Sequence, residues 1–84
     1  VARMLIGGMI ASKLQDLVIV ALMRKSGGTQ RRWRAVLGPI KVHDPRTHAH
    51  CNWSVAPSGT SREIGEVERL LDIIRLEHPI VSDR

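Results

Sequence analysis

The clearest periodic signal lies near the end of the chain. Ile64, Val67, Leu71 and Ile74 recur at helical spacing, and Leu70 and Ile73 widen the stripe. Thr60 is followed three residues later by Glu63, the spacing of a capping box, with Pro57-Ser58-Gly59 as the turn before it and Pro79 as the stop. The pattern predicts a helix from about Thr60 to Glu77. Gly65 falls inside it, where glycine costs roughly 1 kcal/mol relative to alanine.

Residues 12–25 carry a second helical pattern. Leu14, Leu17, Val18, Ala21 and Leu22 follow i, i+3, i+4, i+7, i+8, Ser12 and Gln15 have capping-box spacing, Arg24 and Lys25 fall in the last turn and Gly27 follows. The competing reading takes 16–24, built on the unbroken apolar run Leu17 to Met23, as a first strand leading into a Ser-Gly-Gly-Thr hairpin loop. Start and stop signals favour the helix. Residues 1–11, apolar from Met4, extend it or form a loose apolar arm.

Between these helices the pattern alternates. Trp33, Ala35 and Leu37 share one parity, but after Gly38-Pro39 the apolar positions are Ile40 and Val42, of the other parity, so a bulge at Gly38-Pro39 would keep one face buried. A second strand places Cys51, Trp53 and Val55 on one side and His50, Asn52 and Ser54 on the other. The expected fold is a small α+β domain, helix-strand-strand-helix, with the C-terminal helix packed on a bulged hairpin of strands near 31–43 and 50–56. The alternative is a three-stranded β-β-β-α arrangement. Trp33, Leu37, Val42, Cys51, Trp53, Val55, Ile64, Val67, Leu71 and Ile74 are expected to share the core.

Composition narrows this picture. The 84 residues contain two tryptophans and no phenylalanine or tyrosine, so the core is aliphatic. A chain of this length buries only about 60% of its unfolded surface, which implies one domain over 1–84 and makes a homodimer a natural remedy. The lone cysteine excludes an intramolecular disulfide, and without a cleavable leader of the usual design the expected place is the cytoplasm. Met4 to Met23 has the length of a membrane span, but Lys13, Asp16 and the Gly7-Gly8 pair interrupt it. Each central charge costs about 2.5–3.5 kcal/mol on insertion scales, so no span is expected.

Charge is unevenly spread. Residues 1–59 hold nine Lys and Arg against two Asp, a balance of +7, whereas 60–84 hold four Arg against six acidic residues, a balance of −2. On the strand reading Arg32 and Arg34 face away from Trp33, and with Arg24, Lys25, Arg31 and Lys41 they suggest a cationic ribbon that contacts RNA or DNA phosphates. The competing class is a protein-interaction or self-associating regulatory subunit that docks through the apolar Met4, Leu5, Ile6, Met9 and Ile10.

Three chemical readings concern His43 to Glu63. His43 and His50 would flank the hairpin loop and face each other, with His48 as a third ligand and Asp44 a fourth, but H-x4-H-x-H-C lacks the paired motif of a zinc site, so exposed loop histidines and no bound metal or cofactor are expected. A Cys-His enzyme needs an accessible thiolate with an oriented base. Cys51 shares the core parity of Trp53, so no catalytic residue is expected. Ser58-Gly59-Thr60 reads as a helix cap rather than a phosphate cradle, because Glu63 and Glu66 oppose an anion there.

Overall fold

The computed structural model describes residues 9–83. It is an α+β fold with the order β1 (Met9–Ile10), α1 (Ala11–Ser26), α2 (Gln30–Leu37), β2 (Lys41–Val42), β3 (Trp53–Ser54), α3 (Ser61–Glu77) and β4 (Val81–Ser82). β1 pairs with β4 in parallel, Met9 opposite Val81, while β2 and β3 form an antiparallel hairpin with Val42 opposite Trp53. Three helices meet in one core. α1 contributes Leu14, Val18, Ile19 and Leu22; α2 contributes Trp33, Val36 and Leu37; α3 contributes Val67, Leu70, Leu71 and Ile74; Trp53 and Val81 close it from the strands.

α3 follows its sequence. Thr60 Oγ1 accepts from the Glu63 backbone N–H at 3.1 Å while Thr60 N–H donates to Glu63 Oε1 at 2.9 Å, so both halves of the capping box form. α1 is helical as expected and excludes the strand over 16–24, but its start differs. Ile10 is the N-cap and supplies no side-chain cap bond. The side chain of Gln15 is drawn elsewhere, its Nε2 donating to Gly38 O at 3.0 Å and its Oε1 accepting from Arg34 at 3.3 Å.

Residues 30–37 correct the expected first strand. They form α2, with Thr29 accepting from Arg32 N–H at 3.1 Å as N-cap and Gly38 ending the helix rather than making a bulge. Trp33, Val36 and Leu37 lie at i, i+3, i+4 and are buried, and Ala35 is exposed, the reverse of the strand assignment. The Gly27-Gly28-Thr29 connection sits against Trp33, whose indole N–H donates to Gly27 O at 2.7 Å. A Cβ on Gly28 would lie 3.1 Å from that nitrogen, at a φ of 87° that side chains rarely adopt.

Alternation also fails at Asn52. Expected on the outer side with His50, it is 1% exposed, next to Trp53, which is also buried. β3 is only two residues long, and the chain before it turns toward the C-terminal segment instead of continuing as a regular strand. Asn52 Nδ2 donates to Val81 O at 2.7 Å and to His43 O at 3.1 Å, and Val81 N–H donates back to Asn52 Oδ1 at 2.7 Å. The amide thereby acts as a neighbouring strand for Val81 and joins the two ladders. Of the other expected core residues, Val42, Cys51, Val55 and Ile64 are half-buried.

Within the apolar N-terminal segment, Met9 and Ile10 pair with β4 and Ala11 opens α1. Met4, Leu5 and Ile6, and with them most of the loose-arm reading, lie outside the described residues. No helix among the described residues is long and apolar enough to cross a membrane.

Candidate functional site

α2 and α3 begin alike. Thr29-Gln30-Arg31-Arg32 and Thr60-Ser61-Arg62-Glu63 each place a threonine at the N-cap, an arginine at the second helical position and a charged residue at the third. The third-position residues bind each other. Arg32 Nε and Nη2 donate to the two Glu63 carboxylate oxygens at 2.8 and 2.7 Å, a bidentate pair. The two helix N-termini are thus held side by side, and Ser58 N–H, donating to Val36 O at 2.9 Å, ties the loop before α3 onto the end of α2.

Gly59 is required at this junction. Its φ is 129°, and a Cβ there would lie 2.7 Å from Glu63 Oε1 and 3.3 Å from Val36 Cγ2. Arg32, and after it the Thr60 N–H, hold the Glu63 carboxyl far below its ordinary 4.5, at about 2. Glu66 accepts from Ser26 Oγ and pairs with Arg69, and these two bonds likewise lower its pKa. Both carboxylates that oppose an anion in the sequence are therefore already matched with partners.

An open cleft of about 300 Å³ lies where the end of α1 meets these two N-termini, lined by Ser26, Gly27, Gly28, Arg32, Trp33, Thr60, Arg62, Glu63 and Glu66. Arg62 reaches it from the first turn of α3. Arg31 lies alongside, in a shallow groove with Thr29, Arg32 and Ala35, and Lys25 is close enough to Glu66 to act on its charge. Arg31 and Arg62 stand where the helix macrodipole disfavours a cation, by roughly 0.3–1 kcal/mol each. Neither has a carboxylate within ion-pair distance among the described residues, and the same holds for Arg24, Lys25 and Lys41.

The expected cationic residues are therefore divided. Lys25, Arg31 and Arg32 come together at this end. Arg34 turns to α1, 3.5 Å from Asp16. Arg24 lies on the flank of α1 with Leu17, Val20 and Ala21, and Lys41 sits on β2 opposite Ser54. Because 30–37 is helical, Arg32 and Arg34 leave α2 on different sides, and no Arg-lined strand face forms. Arg62 was not among the expected residues; its place two residues after a capping threonine is the signal that marks it.

The histidines also move from expectation. His43 is opposite Asn52, not His50, since His43 N–H donates to Asn52 O at 2.6 Å. His43 stacks on His48 with ring centroids 4.5 Å apart and shares a hydrogen bond with Ser54 Oγ at 3.0 Å; His50 is exposed. Asp44 is taken by Arg46, whose guanidinium lowers its pKa. Among the described residues no three His, Cys, Asp or Glu side chains are grouped to hold a metal ion. Cys51 is half-buried, with Sγ 3.5 Å from Trp53 O.

Comparison with protein-family models, with curated protein sequences and with solved structures found no match.

Proposed function

We propose that this chain is a non-catalytic binding module of the cytoplasm, and that the end built from α1, α2 and α3 contacts the phosphates of a nucleic acid. One observation supports the reading: two helix N-termini clamped together by Arg32 and Glu63, each presenting an arginine, Arg31 and Arg62, with no carboxylate partner among the described residues. Cations at the positive ends of two helix dipoles give a field that attracts an anion, and guanidinium groups suit bidentate phosphate contact. Lys25, and Arg24 on the adjoining flank, extend the positive surface. Arg32 keeps its Glu63 partner and positions the two helix starts.

Contacts of this kind fix a protein on a backbone without reading bases. Binding is expected on the order of 10⁻⁴–10⁻⁶ M at physiological salt, nearly independent of sequence, with log K falling linearly with log salt. The test is titration of labelled single- and double-stranded RNA and DNA at several salt concentrations. Arg31→Gln with Arg62→Gln should lower the slope by about 1.4–1.8, two phosphate contacts, whereas Arg34→Gln and Lys41→Gln leave it nearly unchanged. Absence of binding at low salt, or equal losses from all four substitutions, overturns the reading.

A further inference from the structure

Among the described residues, Val20, Ile73 and Leu76 are the large apolar side chains left in solvent, and the last two, 51% and 85% exposed, are one turn apart on α3. They lie away from the buried stripe of Val67, Leu70, Leu71 and Ile74. An apolar side chain contributes to folding only through the area it removes from water, and the monomer covers about half of Val20 and Ile73 and little of Leu76. Their neighbours give the patch a direction. Arg69, Ile73 and Glu77 form one i, i+4, i+8 row, all exposed, so that the row reads positive, apolar, negative.

We infer that this row is the contact face of a homodimer, in which α3 packs against α3 of a second copy, antiparallel about a two-fold axis beside Ile73. Arg69 and Glu77 stand four residues either side of Ile73. That axis sets Ile73 against its own copy and Arg69 of each chain against Glu77 of the other, with Leu76 widening the apolar centre. An isologous interface must be self-complementary, and this charge order meets that condition only when the helices run antiparallel. In a parallel pair arginine would face arginine and glutamate would face glutamate. Arg69 also pairs with Glu66 on its own helix, but its side chain is 64% exposed and is open to a second carboxylate. A short chain with an aliphatic core gains burial from the pairing.

Sedimentation of the protein over a wide concentration range should show a monomer–dimer equilibrium. Leu76→Glu, on a side chain that makes no part of the core, should weaken it at least about tenfold with the helical circular dichroism unchanged, and Ile73→Ser should act in the same direction. Arg69→Glu alone and Glu77→Arg alone should each weaken the homodimer, because each sets like charges together at both contacts. Mixing those two variants should restore association as a heterodimer, since opposite charges then meet at both. A protein that stays monomeric at every concentration, a dimer indifferent to Leu76→Glu, or a mixture that associates no better than its components each overturns the inference.

Discussion

The two ends of the molecule solve the same problem with different chemistry. Where α2 and α3 begin, the elements are joined by charges at the surface: Arg32 with Glu63, over a capping box and a glycine. Where the two ladders meet, the side chain that bridges them is a neutral amide in the interior, Asn52, which spends both donors and an acceptor on main-chain groups of His43 and Val81. The surface groups have water as an alternative partner, so losing one exposes little. The Val81 N–H and carbonyl held by Asn52 are buried and have no such alternative, and their desolvation has already been incurred. The strand end should therefore be the more fragile of the two, although it holds none of the ion pairs between helices.

The largest expected effect follows from that difference. Asn52→Ala takes the partner from the buried Val81 N–H and carbonyl and from the half-buried His43 carbonyl, and at about 1–3 kcal/mol for each buried orphan the loss should be about 2 kcal/mol or more. Urea unfolding measures it. Asn52→Asp removes both donors and sets a carboxylate against two carbonyls, so it should not rescue. If Asn52→Ala unfolds no more readily than a surface variant, the amide is not the strand end's main tie.

At the helical end the most damaging change should be steric rather than ionic. Gly59→Ala places a Cβ 2.7 Å from Glu63 Oε1 at a φ of 129°. Strain of that kind costs on the order of 1–3 kcal/mol. A Gly59→Ala protein with an unchanged denaturation midpoint would mean that the junction yields.

The ion pair itself should show as a pH dependence. The folded Glu63 carboxyl titrates at about 2, below its ordinary 4.5, so its contribution is fully present above about pH 4.5 and is lost as pH falls through about 2. Arg32→Gln should lower the melting temperature most near neutral pH, and the gap from the parent protein should close toward pH 2. The gap should also shrink with added salt, because the pair is exposed. A gap independent of both would assign Arg32 a packing role.

The contrast also separates what could be read from the sequence from what could not. α3 and its capping box were legible because periodicity, cap and stop all coincide over seventeen residues. α2 was misread because eight residues give only two turns, too few for a helical period to outvote the apparent alternation of Trp33, Ala35 and Leu37. Its signals are present, Thr29 as cap and Gly38-Pro39 as stop, but the strand reading gives Thr29 no capping role and makes Gly38-Pro39 a bulge. Asn52 left no local trace, since an asparagine that bonds to Val81 across 29 residues looks like any asparagine on an outer face. The candidate site shared the error of α2: its arginines were visible, and their grouping depended on which secondary structure carried them.

The smallest effect should run in the opposite direction and tests the helical end without touching its charges. Gly65 lies in the interior of α3 with no left-handed backbone angle, and a Cβ there would meet first Arg69 Nη1 at 3.4 Å, the far end of a flexible side chain. No packing requirement offsets the entropy that glycine loses in a helix, so Gly65→Ala should stabilise the protein by about 1 kcal/mol or slightly less. For a domain of this size that corresponds to a rise in melting temperature of roughly 4–8 °C. The measurement belongs at a concentration where the chain is monomeric, because Gly65 lies on the outward side of α3 and a second copy would add its own contacts. Gly59→Ala and Gly65→Ala, six residues apart, should then shift the transition in opposite directions; a loss of stability at both would show that α3 is closely covered along its outer face even in the monomer.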